Sequence, residues 1–302
     1  MGSSPVRLVR STAKGIGARI SRIFVDDDKQ RRPYVAGLAE AYARGWDGCP
    51  CVFVLSTGRV GTQTLAALLD LSLDISASHE PEPRLIRASF EAFTEGDRQT
   101  ADDRWSAIVL AARDDLICDA NSRGQIYVET NNRLTFLAPT LAKVFPASKF
   151  IHLHRHPYEV IRSAMQRRFY QGNGWDFARI RPRAGDPVAA KWSTLSAIEK
   201  CAWYWATIDG ESQAFLQRLP ESRRLNLPAR DLFAGDMGVI QHLFEFIGAQ
   251  APTSKSVATV LSRQLNAETR NSFSSADGWS ESDRAAVNRL VAPTATRLGY
   301  TL

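Results

Sequence analysis

Residues 51–65 read CVFVLSTGRVGTQTL. An apolar run from Cys51 to Leu55 gives way to a Gly-x-x-Gly-Thr loop, after which Leu65, Ala66, Leu68 and Leu69 recur at helical spacing. The order predicts strand, loop and helix. In a parallel sheet such a loop lies at the carboxyl end of its strand, where unpaired helix N–H groups and the positive end of the helix dipole face anions. Gly58 and Gly61 permit tight turns and close backbone approach, with Val60 between the arginine and the second glycine. Thr62 and Thr64, on either side of Gln63, can add hydroxyl donors, and Arg59 supplies a fixed charge suited to phosphate or sulfate oxygens. A Walker loop would follow its second glycine with lysine. None stands here, which disfavours an ordinary ATP or GTP site.

Outward from this loop, strand and helix patterns alternate. Residues 73–78, 125–130, 149–155 and 223–229 read as further strands. Helical patterns cover much of 84–117, then 133–145 with a proline inside, then 158–169 opened by Pro157, then a long aromatic stretch through Trp203, Tyr204 and Trp205. Residues 171–187, rich in Gly, Pro and Arg, read as a long mobile loop. The alternation predicts an α/β fold: a single domain with a parallel β-sheet flanked by helices.

A chain of 302 residues that is 44% hydrophobic can bury one large core, and no repeat or composition break divides it. The formal charge of +6 is concentrated at the start, since residues 1–32 hold eight Lys or Arg against three Asp. We therefore divide the chain into a basic N-terminal extension, 1–46, and a main domain, 47–302. The nearly neutral body argues against a nucleic-acid partner, which needs a basic face on the folded domain. Residues 6–24 have a loosely sided apolar pattern with arginines between, compatible with peripheral membrane contact, although Gly15 and Gly17 weaken a free helix. No apolar run is long enough to span a bilayer, and the four cysteines form no disulfide or zinc framework. A cytoplasmic protein with reduced thiols is expected.

A second anion-binding pair stands in FIHLHRHPYEVIRSAMQR, residues 150–167. Arg155 falls where the strand ends, and Ser163 follows eight positions later, in the second turn of the next helix. With Arg59-Val60-Gly61-Thr62, these residues resemble the sulfotransferases that use 3′-phosphoadenosine 5′-phosphosulfate (PAPS). That resemblance implies a fold like the P-loop nucleotide kinases. It implies that the 58–64 loop holds the 5′-phosphosulfate, that Arg155 and Ser163 hold the 3′-phosphate, and that 3′-phosphoadenosine 5′-phosphate (PAP) is the product, with no metal required. His156 replaces the aspartate usual after the arginine. SHEPEP, residues 78–83, is similar to the His/Lys-Glu-Pro segment of the carbohydrate branch; LNLPARDLFAG, LFEFIGA and RLGY resemble further family segments.

An acceptor hydroxyl needs a base, and His79 and Glu80 are the two adjoining candidates; the resemblance implies Glu80, with His79 orienting the substrate or capping the strand, and Arg59 as the cation stabilising the leaving phosphate. Arginine stays protonated, so its role is electrostatic. The implied acceptor is a sugar, a lipid-linked hydroxyl or a small aliphatic alcohol. The family's lysine after the third strand is absent, Glu129, Thr130, Asn131 and Asn132 standing there instead; Arg133, Arg179, Arg181 or Arg183 could substitute. Arg270 and Trp279 fall where relatives close over the nucleotide. Three other readings stay open: a P-loop-like kinase, a non-catalytic nucleotide-binding protein, and a metal site on His152, His154 and His156, which share one parity of a strand.

Overall fold

Strand β1 (Cys51–Leu55) is buried along its whole length in the computed structural model, as a central strand covered on both faces must be. The structure describes residues 48–95, 102–263 and 273–302. The N-terminal extension with its amphipathic stretch, the 46/47 boundary and Arg270 lie outside the described residues.

After β1 come α1 (Thr62–Leu69), β2 (Ile75–His79), α2 (Ile86–Glu95), α3 (Asp102–Ser122) and β3 (Ile126–Thr130). Then follow α4 (Ala138–Val144), β4 (Lys149–His154), α5 (Pro157–Gln166), α6 (Ala197–Gln217) and β5 (Arg224–Pro228). The chain ends with α7 (Ala229–Phe233), α8 (Met237–Ile247), α9 (Ser254–Leu261) and α10 (Glu281–Arg297). Among the described residues, five parallel strands form one sheet in the order β2-β3-β1-β4-β5. From β1 the chain steps out to β2, returns to β3, and then crosses β1 to reach β4. That reversal opens a crevice at the carboxyl end of β1, where α/β sheets bind their ligands.

Alternation along β1 supplies two cores. Val52 and Val54 join Ile151, Leu153, Leu65 and Leu68 on one face. Phe53 meets the rings of Tyr127, Phe145 and Phe150 on the other, with centroids 5.7–6.4 Å apart. The edge strands β2 and β5 are more exposed and more polar, which discourages pairing with another chain. Helix α6 opens with a capping box between Ser196 and Glu199 and packs Trp205 fully into the core; α10 lies against it. No described helix is long and apolar enough to cross a membrane, and all four cysteines are free.

Two expectations need correction. The helix expected over 133–145 is split: a 3₁₀ turn at Thr135–Leu137 precedes α4, and Pro139 falls in the first turn of α4, where its missing N–H costs no helical hydrogen bond. The loop 171–187 is not a loose excursion. The Asp176 carboxylate accepts the backbone N–H groups of Tyr170, Gly172 and Asn173, each at 3.0 Å, and pairs with Arg179 at 2.8 Å. Ala178, Arg179 and Ile180 are buried as a result.

Candidate active site

Strand register sets the level of the site. His79 lies opposite Thr130 and Thr130 opposite Val54, while Leu55 lies opposite His152. The segments leaving β1, β2, β3 and β4 therefore emerge together at one edge, bringing the glycine loop, Glu80, Asn131–Arg133 and Arg155 to the same side of the sheet.

The loop is fixed by close approach. Gly58, Arg59 and Gly61 all have positive φ, of 73°, 60° and 96°. A Cβ on Gly58 would stand 2.7 Å from Asn132 Nδ2, and one on Gly61 would stand 2.2 Å from the Phe233 ring. Glycine is thus required twice, for conformation and for space. The Gly58 N–H donates to Ser56 Oγ at 3.2 Å. Thr62 begins α1 and is buried, and Gln63 and Thr64 are half-buried. The Val60 side chain is fully buried in the core, which leaves its backbone to face a ligand.

Arg59 links the glycine loop to the Arg155–Ser163 segment. Its Nε donates to Ser163 Oγ at 3.1 Å, across 104 residues of sequence. Arg155 stands at the end of β4 with its guanidinium on Glu159, the next turn of α5, at 2.8 Å. Its carbonyl accepts from Trp205 Nε1 at 3.1 Å. That ion pair is half-exposed, so it is weak and readily exchanged for a stronger anion. His156 caps α5, its Nδ1 accepting the Tyr158 N–H.

Arg59 also lines a cavity of about 420 Å³ together with Glu80. Arg84, Arg133, Arg167, Arg168 and Arg179 complete its cationic wall, and Glu80 is the one carboxylate lining it among the described residues. Three of the five described non-glycine residues with positive φ, Arg59, Glu80 and Arg168, lie on this wall. Such strain gathers where surrounding structure holds functional groups in place. Glu80 is held by its N–H, which donates to Thr130 O at 3.0 Å, and His79 bonds Thr130 Oγ1 through Nδ1 at 2.9 Å. His79 thus anchors the strand end beside Glu80 and is not among the residues lining the cavity.

Where the family lysine is missing, Asn131, Asn132 and Arg133 line the cavity. Arg133 is steadied by the Ala178 carbonyl at 3.0 Å; Arg179 is held by Asp176 and lies over the Phe169 ring at 3.2 Å. Of the other two substitutes considered, Arg183 lies over Phe93 and near Glu211, and neither it nor Arg181 lines this cavity. Trp279 is buried against Tyr158 of α5, with its Nε1 donating to the Ser274 carbonyl.

Glu129 takes a structural part. Arg113 grips it with a two-bond fork, Nε to Oε2 at 2.6 Å and Nη2 to Oε1 at 2.8 Å, both side chains being at most 1% exposed. Arg113 Nη1 donates to Pro83 O at 3.1 Å, and Asn131 Nδ2 donates to Glu129 Oε1 at 2.9 Å. One buried pair therefore holds two walls of the site, the Glu80–Pro83 bend and Asn131. Sequence reasoning also missed Arg84, Arg167, Arg168 and Trp175 as cavity residues. Each sits in a segment read as loop or exposed helix face, and nothing in its spacing marked it.

The histidines of β4 do not converge. His152 Nε2 bonds Asp209 at 2.7 Å and His154 Nδ1 bonds the Tyr300 hydroxyl at 2.7 Å. Burial, with His152 and Arg230 nearby, pushes His154 down to about 3, and burial pushes the Asp209 carboxyl up. Among the described residues no group of three His, Cys, Asp or Glu is arranged to hold a metal ion.

Comparison with known proteins accords with this geometry. The sequence profile described as "Sulfotransferase family" matches residues 50–253. No curated protein sequence matches. Among solved structures, sulfotransferase STF9 from Mycobacterium avium is similar at 14% identity and TM-score 0.54, over 90% of this chain and 83% of that one. The sulfotransferase domain from the curacin biosynthetic pathway is similar at 16% identity and TM-score 0.50, over 84% of this chain and 99% of that domain. At such identities the likeness shows the fold. The profile covers the glycine loop, the Glu80 bend and the Arg155–Ser163 segment together. The chain belongs to the sulfotransferase family.

Proposed function

We propose that the protein transfers a sulfo group from PAPS to an acceptor hydroxyl. The carrying observation is the double position of Arg59, which bonds Ser163 while lining the arginine-walled cavity with Glu80. A nucleotide with phosphates at both its 3′ and 5′ positions suits two cationic segments brought this close.

The residues fit such a donor. Gly58 and Gly61 give the loop its positive-φ turns, and Asn132, on the cavity wall, carries a buried amide oxygen with no hydrogen-bond partner among the described residues. In this reading Gly58, Gly61, Thr62, Gln63 and Thr64, with the Val60 backbone, surround the 5′-phosphosulfate. Arg155, released from Glu159, and Ser163 take the 3′-phosphate. Arg59 stabilises charge on the leaving phosphate, with Arg133 or Arg179 supplying the positive charge a lysine gives elsewhere in the family. Glu80 takes the acceptor's proton, and His79 steadies the bend that carries it.

Incubation of the full chain with sulfur-labelled PAPS and a panel of hydroxyl acceptors tests this directly. Labelled product is expected, and Glu80→Gln should lower turnover by about 100-fold or more with PAP affinity nearly unchanged. Loss of PAP binding in Glu80→Gln would assign that residue to donor binding and contradict its role as base.

A further inference from the structure

Beside the arginine-walled cavity lies a larger groove of about 900 Å³. Leu85 and Ile86 line one side of it, Trp105, Ile108 and Ala112 of α3 the other, and Trp175 stands at one end. Arg84, Ile86 and Trp175 line both spaces, so the groove adjoins the cavity in which Glu80 stands.

The two spaces differ in chemistry. In the cavity six arginines face one carboxylate. In the groove the charged groups are taken up in pairs: Arg84 with Glu82 at 2.7 Å, Arg87 with Glu91, and Arg104 with Glu95. Arg104 also lies over the Trp105 ring at 4.1 Å. Its floor is aliphatic and aromatic, and each charged side chain at its edge already has a partner of opposite sign, which leaves little to hold an anionic glycan or a sugar ring. An apolar concave surface with a reactive carboxylate at its mouth suits an apolar body carrying a hydroxyl.

We infer that this groove holds the acceptor, and that the acceptor is an alcohol on an alkyl or ring-hydrocarbon body. The inference rests on the reading of Glu80 as base. The body lies along Ile108 and Trp105, and the hydroxyl passes Ile86 and Trp175 to reach Glu80. There the hydroxyl oxygen bonds to sulfur as the bond from sulfur to the bridging phosphate oxygen breaks. The electron pair of that bond leaves on PAP, and the hydroxyl proton passes to the Glu80 carboxylate and then to water.

The test is a binding series on the full chain with saturating PAP, using 1-butanol, 1-hexanol, 1-octanol and glucose in isothermal titration. Dissociation constants should fall about five- to fifteen-fold with each two added methylenes, as apolar surface leaves water. Ile108→Asp should weaken 1-octanol at least about tenfold while leaving 1-butanol, PAP affinity and melting temperature nearly unchanged. Ala111→Glu, an exposed position on the same wall, provides a second variant that cannot disturb the core and should act in the same direction. A flat series, a series insensitive to both substitutions, or tighter binding of glucose than of 1-octanol overturns the inference. If PAP still binds in those cases, only the apolar acceptor is lost. If PAP binds no more tightly than ATP, the donor reading falls.

Discussion

Replacing Glu129 by glutamine removes one charge and almost no volume from the best-enclosed ion pair in the site. Arg113 keeps the glutamine's one amide oxygen and the carbonyls of Pro83 and Ala112 as acceptors but loses its counter-charge, in a place 1% exposed to solvent. Breaking a buried pair from one side costs about 3–5 kcal/mol, because the surviving charge stays desolvated. For a domain of this size that corresponds to a fall in melting temperature of roughly 6–20 °C. Differential scanning calorimetry reads it directly. The double variant Arg113→Met/Glu129→Leu separates stability from positioning. With both charges gone, much of the lost stability should return. Turnover should not return, because the bonds to Pro83 and from Asn131 go with the charges. A Glu129→Gln shift below about 1 kcal/mol would mean that water reaches the pair, and the reasoning would fail. Full turnover in the double variant would show that the Glu80 bend is held by something else.

Two further outcomes follow from single contacts. Gly61→Ala places a methyl group inside the Phe233 ring at a φ of 96°, and should destabilise the protein by about 2 kcal/mol or more, with Phe233→Ala recovering part of the loss in chemical denaturation. His154 is held neutral in the fold down to about pH 3, whereas the unfolded chain takes up that proton near its ordinary value of about 6.5. Its contribution to stability is therefore full above about pH 6.5 and is lost as the pH falls toward 3, at up to about 1.4 kcal/mol per pH unit. His154→Asn should remove that share of the acid slope between pH 6.5 and 5. An unchanged slope would mean that the histidine is protonated in the fold.

Much of the framework was legible because the fold's central signals are local. Each strand is a short β-forming run bounded by Gly, Pro or polar residues, and β1 announces its central place by having no polar residue between Cys51 and Leu55. The glycine loop and the Arg155–Ser163 segment were legible for the same reason. Arg113 was not: it sits in α3 just before Asp114 and Asp115, where a charged run reads as a solvated face, and only tertiary contact with Glu129 shows it buried. The loop 171–187 misled because Gly, Pro and Arg content says nothing of the single carboxylate, Asp176, that collects three backbone N–H groups and a guanidinium. Half of the arginine wall, Arg84, Arg167 and Arg168, was equally hidden. Its members come from segments whose charges look alike in sequence, and the fold alone decides which of them face inward.

The central claim is that two cationic segments far apart in the chain hold one nucleotide. Its most direct measurement is the affinity of the full chain for PAP and for adenosine 5′-phosphate, in the native protein and in Arg155→Ala. The native protein should prefer PAP by at least about 100-fold, the worth of charged hydrogen bonds to the additional phosphate, and Arg155→Ala should lose most of that preference. Equal affinity for the two nucleotides, or a preference that survives the loss of Arg155, would contradict it.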